Sequence, residues 1–329
     1  MKQLVFFNNK GGVGKTTFIQ HLGYALEKQG KRVLFIDADP QCNLTAYICT
    51  DEQIDDFWKS KSSIYNVVLP LISGTGDIDK DNVVPYQIPD RNLWLLPGDV
   101  ALSEFEQTLA ENWTAALAGR EIGFRVTSAI FRYINNWAEA NKIDYVLLDI
   151  GPNLGALNRA VLLGCDYFII PLVPDLFSLR GLTNIGQSFV KWMNEWSGAV
   201  SRFEKKTFKV QNGRPAFAGY VTAHFNTYRR QPARAWKRWN AEIPARIKRD
   251  IVDQLARVDK NLIVPLNGGY NIGDMKNYHS LVPLSQAKLK PIFELTAVDG
   301  AFGAHISYVR ECGRTYTEIA QKVCRKLKT

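Results

Sequence analysis

Asn9-Lys10-Gly11-Gly12-Val13-Gly14-Lys15-Thr16-Thr17 is the stretch of this 329-residue chain whose residue types and spacing most clearly point to chemistry. Loops that cradle phosphates follow the pattern G-x-x-x-x-G-K-[ST]. Gly14, Lys15 and Thr16 supply its last three elements, Asn9 stands where the first glycine belongs, and Lys10 adds a second lysine. Gly11, Gly12 and Gly14 let the backbone turn tightly and aim its N–H groups at phosphate oxygens. A helix starting near Lys15 adds its positive dipole end. Lys15 would neutralise phosphate charge and Thr16 would offer its hydroxyl to Mg²⁺. Three carboxylates are candidates to complete such a site: Asp37 and Asp39 in Asp37-Ala38-Asp39-Pro40-Gln41, and Asp149 at the end of D-Y-V-L-L-D. Acids at strand ends can hold Mg²⁺ or orient a water. A lone Asp there is commonly only a turn former or helix cap.

The elements that must position these groups alternate. Gln3 to Phe7 reads as a buried strand, Thr16 to Gln29 as a helix stopped by Gly30, and Arg32 to Asp37 as a second strand. That βαβ unit implies a parallel sheet with helices on its faces. Further strands are predicted at Asn92 to Leu96, Asp144 to Asp149, Tyr167 to Val173, Phe217 to Thr222 and Leu262 to Val264. Helices are predicted over 102–117, 124–141, 179–197, 232–257 and 308–327, and residues 45–95 read as a less regular, loop-rich insertion. The fold class is α/β, a doubly wound, mostly parallel sheet that binds ligands at the carboxyl ends of its strands, and the whole of 1–329 reads as one domain. No apolar run approaches the roughly 20 residues of a membrane span. The five cysteines form no C-x-x-C pair, which argues against a zinc site or disulfide framework and for a cytoplasmic protein.

Several motifs together resemble the ParA/MinD family of deviant Walker A ATPases. Lys10 to Thr17 is similar to its phosphate loop, and Asp37 to Thr45 resembles its D-x-D-P-Q-G-N-x-T segment. Tyr145 to Gly155 resembles its Walker B strand and turn, Asn92 to Pro97 its N-L-x-L-L-P strand, Pro171 to Leu182 its I-P-x-x-P-x-x-x-x-L-x-G-L segment, and Lys290-Pro291-Ile292 its late G-K-P-I. The resemblance spans nearly the whole chain and is closest to ParA-type partition or positioning ATPases. It implies binding of ATP and Mg²⁺, a nucleotide-sandwich homodimer, and slow hydrolysis stimulated by an adaptor protein. Lys10 matches the signature lysine that reaches the partner subunit's phosphates, and Asp39 the acid that positions the attacking water. Asp37 and Asp149 match Mg²⁺-associated acids. Asn226 and Pro265 lie where the family reads adenine. Three positions depart from the pattern: Cys42 and Leu289 replace glycines, and Gly151-Pro152-Asn153 replaces P-P-S.

Charge placement suggests a partner. The chain carries 41 Lys and Arg against 32 Asp and Glu, and residues 200–260 hold 15 against 5. The remainder is left with 26 against 27, so the positive excess is concentrated in one stretch, a footprint expected of a polyanion partner. Arg229, Arg230, Arg234, Lys237, Arg238, Arg246, Lys248 and Arg249 are the candidate DNA contacts, with Arg234, Lys237 and Arg238 at i, i+3, i+4. Such a row tracks phosphates without reading bases. Trp236 and Trp239 read as packing residues. Seven residues precede Asn8, so no helix-turn-helix domain is expected ahead of the loop. The expected role is segregation or positioning of a cargo on the nucleoid. A MinD-like membrane ATPase, whose closing helix would dock through Ile319, Val323 and Leu327, is the rival reading, though a helix packed on the sheet suits that modest stripe better. Two others are a ligase or reductase relative and an ATP-switched DNA-binding scaffold with negligible turnover.

Overall fold

Val33–Ala38 and Tyr145–Ile150 are buried along their whole length, as strands covered by helices on both faces must be. The computed structural model describes residues 1–203, 208–223, 233–264 and 269–327, with only the helical backbone for 233–236. The strands are β1 (Lys2–Phe6), β2 (Val33–Ala38), β3 (Tyr86–Gln87), β4 (Leu93–Leu96), β5 (Tyr145–Ile150), β6 (Tyr167–Leu172), β7 (Ala216–Ala223) and β8 (Asn271–Met275). The α-helices run α1 (Lys15–Glu27), α2 (Asn43–Ala46), α3 (Asp51–Lys59), α4 (Ile64–Ile72), α5 (Ser103–Leu117), α6 (Glu121–Thr127) and α7 (Ala129–Ala140). They continue as α8 (Ala156–Gly164), α9 (Leu176–Ser201), α10 (Ala233–Ile247), α11 (Asp253–Val258), α12 (Leu281–Ala287) and α13 (Ala304–Leu327).

The sheet order is β3-β4-β2-β5-β1-β6-β7-β8, and every pairing is parallel except β3 with β4. Side chains alternate between two cores, as the twofold period of a strand requires. Leu34, Ile36, Val146 and Leu148 pack on the side that includes α5, α8 and α9. Val33, Phe35, Tyr145 and Leu147 pack on the side of α1 and α13. The expected doubly wound α/β sheet is therefore what the chain forms. The central strands β1, β2 and β5 end together, which brings the glycine loop, Asp37 and Asp149 to one rim; Asp37 and Asp149 are register partners on adjacent strands.

Local departures have local causes. The predicted strand at Leu262 to Val264 is instead a 3₁₀ turn, Lys260–Leu262, capped by Asp259 on the N–H of Asn261 at 2.9 Å, with a single bridge from Ile263 to Phe217. The eighth strand is Asn271–Met275, at the sheet edge, where N-I-G-D-M has too little apolar alternation to read as a strand. The predicted helix over 124–141 breaks at Ser128, whose hydroxyl bonds back to the Phe124 carbonyl at 2.5 Å. Within 45–95, helix α4 puts Val67, Val68 and Leu71 into the main core, so this stretch is built into the domain. The basic helical run is interrupted by a π turn, Lys248–Val252, which bulges the Asp250 carbonyl onto α9. Gly186 makes room for it: a β carbon there would sit 1.9 Å from that oxygen.

Candidate nucleotide site

Asn8, buried after β1, sets the entrance of the loop. Its side-chain amide donates to the Pro171 carbonyl at 2.6 Å, and its oxygen accepts from the Lys10 N–H at 3.0 Å. Asn9, in the place of the missing glycine, lies against α9 at Gly181, where a β carbon would come within 2.5 Å of its side-chain oxygen. Gly12 and Gly14 take left-handed backbone, φ 71° and 78°, and Gly14 leads into α1. This φ range is why glycine is needed there.

Lys15 and Thr16 converge on one acid. The Lys15 ammonium lies 2.7 Å from one Asp149 oxygen and also donates to the Ile150 carbonyl, while the Thr16 hydroxyl donates to the other Asp149 oxygen at 2.6 Å. Asp149 is fully buried and Lys15 nearly so. The Asp37 carboxylate is committed elsewhere: it accepts from the Thr45 N–H at 2.8 Å and hydroxyl at 2.7 Å. Thr45 Oγ1 in turn accepts from the Gly98 N–H at 2.8 Å. Asp37 thus folds the loop that follows β2 rather than reaching Thr16. Burial first, and then the Asp149 charge, push its carboxyl up to about 7. Asp39 is raised too, mainly by burial, and lines the loop cavity.

The cavity, about 360 Å³, is lined by residues 10–17 together with Asp39, Tyr47, Pro152 and Gln286. An apolar pocket continues from Gly14 and Thr17 past Ala223, Met275, Tyr278, Ile292 and Tyr316. Asn226 and Pro265 lie outside the described residues. Gly14, Thr17 and Ile292 fall in recognised motifs; Met275 ends β8, a strand with no clear sequence signal, and Tyr278 follows it. Among the described residues no cluster of three or more His, Cys, Asp or Glu could hold a metal alone. Mg²⁺ does not need one, since it binds through one or two carboxylates plus phosphate oxygens and water. Thr16 and Asp149 fit that donor set, and the excess of buried carboxylates over the single buried Lys15 suits a divalent cation.

Lys10 has a different partner. Its ammonium pairs with Asp175, whose carboxylate also caps α9 by accepting from the Ser178 N–H at 2.8 Å. Cys42 and Leu289, which replace family glycines, keep left-handed backbone, φ 55° and 53°. Burial raises the Cys42 thiol, so it stays protonated.

Of the basic residues, Arg229 and Arg230 lie outside the described residues and Arg234 lies on α10 with its side chain undescribed. Lys237, Arg238, Lys248 and Arg249 are exposed and Arg246 is half-buried. Four of them pair with acids of the same run: Arg238 with Glu242 at 3.3 Å, Arg246 with Asp250 at 4.0 Å, Lys248 with Asp253 at 2.9 Å and Arg249 with Asp250 at 2.8 Å. The Arg238–Glu242 and Lys248–Asp253 pairs are solvent-exposed and worth ~1 kcal/mol or less, so phosphates can displace them, whereas Arg246 and Arg249 pair with the buried Asp250. Trp239 packs against the core under the Arg238 guanidinium. On α13, Ile319, Val323 and Leu327 are buried against the sheet, so the stripe serves packing. No helix among the described residues is long and apolar enough to cross a membrane.

Residues 1–197 match the family model AAA_31, described as an AAA domain. The chain belongs to this family, within the ParA/MinD group of P-loop ATPases. It is 29% identical over 227 residues to the chromosome-partitioning ATPase Soj of Treponema pallidum, a match covering 69% of this chain and 78% of that one. An uncharacterized protein of Mycobacterium tuberculosis is 35% identical over 182 residues, 55% of this chain; the match spans 49% of that relative, about half its length. The fold is similar to a solved protein of Corynebacterium diphtheriae (TM-score 0.75, 23% identity, 99% of both chains). It is also similar to the ATP complex of Cyanothece McdA (TM-score 0.61, 18% identity, 98% and 96%).

His21 lines the apolar pocket and is fully buried. Its Nδ1 lies 2.8 Å from the Thr17 carbonyl and its Nε2 accepts from the Ile292 N–H at 2.9 Å, which assigns the neutral ring with its proton on Nδ1. Burial lowers its pKa from 6.5 to about 4. Between those values the unfolded chain binds the extra proton, so this stability is present above 6.5 and lost as pH falls toward 4. Asp37 works oppositely: its folded pKa is raised, so its contribution is lost as pH rises toward 7. Urea unfolding of the nucleotide-free protein against His21→Asn isolates the histidine, because Asp37 is common to both. The wild type should lose about 3 kcal/mol more than the variant between pH 6.5 and 4; parallel pH curves would refute the assignment.

Proposed function

We propose that this chain is a ParA-type ATPase that binds ATP with Mg²⁺, dimerises around the nucleotide, binds DNA without sequence preference, and hydrolyses ATP slowly to segregate or position a cargo. The carrying observation is the convergence of Lys15 and Thr16 on Asp149 at the mouth of a glycine loop. ATP with Mg²⁺ supplies the phosphoryl group and the divalent charge. Lys15 exchanges Asp149 for phosphate oxygens, and Thr16 and Asp149 hold the metal. Asp37 keeps the 39–45 loop folded so that Asp39 can orient a water. Lys10 leaves Asp175 for the phosphates bound by a second copy, where a cation in trans stabilises transition-state charge as an arginine finger does. Family membership and the likeness to Soj support partition as the role; an adaptor that stimulates hydrolysis is part of the proposal.

Two substitutions separate the lysines. Lys15→Ala should abolish measurable ATP binding in calorimetry. Lys10→Ala should keep affinity within about threefold yet lower hydrolysis about a hundredfold or more, the scale of a missing trans cation. Normal turnover in the second variant would contradict the trans role.

The DNA reading is tested with a random-sequence duplex in the absence of nucleotide, with ADP, and with ATP. Binding should require ATP and weaken about a thousandfold between about 50 and about 200 mM salt, as several displaced counterions imply. Absence of binding in every state would remove DNA from the proposal.

A further inference from the structure

We propose that Glu106, on α5, is a positioning residue for ATP hydrolysis: it fixes the turn that follows Asp149. The role rests on the ATPase reading above. One carboxylate oxygen of Glu106 accepts from the Ala156 N–H at 2.5 Å and the other from the Leu157 N–H at 2.8 Å. These are the first two donors of α8, which helix geometry leaves without partners. A carboxylate there also meets the positive end of the helix dipole. The residue preceding α8, Gly155, has no side chain to cap with. A β carbon there would sit 2.2 Å from the Glu106 oxygen, so any side chain at this position would push that carboxylate away from the helix start. The start of α8 is therefore held from 50 residues away in sequence.

The turn over 151–155 hangs on that start. Asn158, buried in the first turn of α8, donates to the Gly151 carbonyl at 2.7 Å and the Asn153 carbonyl at 2.8 Å. The Asn153 side chain accepts from the Gly155 N–H at 2.9 Å. Gly151 faces Asp39 closely enough that a β carbon would lie 3.5 Å from its carboxylate, and Pro152 forms the cavity wall with Asp39. Displacing the start of α8 displaces that wall from the acid that orients the water.

Helix α5 is suited to the task. It is anchored by Phe105, Leu109 and Trp113; the Trp113 ring stacks on Trp196 with centroids 5.6 Å apart, and the Arg159 guanidinium lies over the Trp113 ring, 3.9 Å from its centroid. Just before it, the Gly98 N–H holds Thr45 and through it Asp37. The segment from Gly98 to Glu106 thus braces both loops of the candidate site.

The test measures ATP affinity, the single-turnover hydrolysis rate per bound ATP·Mg²⁺, and the folded fraction in wild type, Glu106→Ala and Glu106→Gln. Affinity should stay within about twofold of wild type while the rate falls about tenfold in the alanine variant, the scale of a small misplacement. Gln retains one acceptor oxygen and should lose less. A wild-type rate per bound nucleotide in Glu106→Ala overturns the role. So does a loss of rate and affinity that merely tracks the folded fraction, which would make Glu106 a structural cap. A wild type that binds ATP but never hydrolyses it overturns the ATPase reading, and this role with it, before any variant is compared.

Discussion

The Lys15 ammonium lies against the fully buried Asp149 carboxylate at the floor of the loop cavity, and the surrounding structure is arranged around that charge pair. Two adjacent parallel strands end in register on Asp37 and Asp149, which would place two buried negative charges side by side. Without nucleotide the conflict is eased by Lys15 at Asp149, by hydrogen bonds from Thr45 to Asp37, and by a raised Asp37 pKa. A buried ion pair is poor evidence of stability, since desolvation offsets much of its attraction. Here its significance is that both partners are ready to be exchanged: the lysine for phosphate, the acid for a divalent cation.

The loop is held by contacts distant in sequence. Asn8 meets Pro171, Lys10 meets Asp175, and Asn9 fits against Gly181, so three consecutive loop residues rest on the end of β6 and the start of α9. Farther along the same helix, Gly186 receives the carbonyl bulge of the basic segment's π turn. Helix α9, 26 residues long, thus touches both the glycine loop and the basic segment, and is the packed element through which the proposed nucleotide-gated DNA binding would be coupled.

Sequence legibility divides along the same line. The loop, the strands that end at Asp37 and Asp149, and the doubly wound order were readable because each is a local signal: a fixed spacing, a short apolar run, a helical period. Residues that act through contacts across the chain were not. Glu106 reads as one more polar position of an amphipathic helix, and Asp175 as an ordinary helix cap. Gly181 is visible in the sequence as the glycine of the L-x-G-L motif, but its reason, Asn9 packed beside it, is not. The edge strand Asn271–Met275 was missed because an edge needs little apolar content, and Leu262 to Val264 was over-read because three apolar residues after a polar stretch look like a strand in isolation. The basic helix was legible by composition, whereas its π turn depends on α9 offering Gly186.

The central claim is that Lys10 is reserved for a second copy once nucleotide fills the loop. Sedimentation of the full chain without nucleotide, with ADP·Mg²⁺, and with ATP·Mg²⁺ tests it most directly. A monomer that doubles its mass only with ATP·Mg²⁺ is the predicted result. A chain that binds ATP·Mg²⁺ and remains a monomer at every concentration tried would contradict the claim.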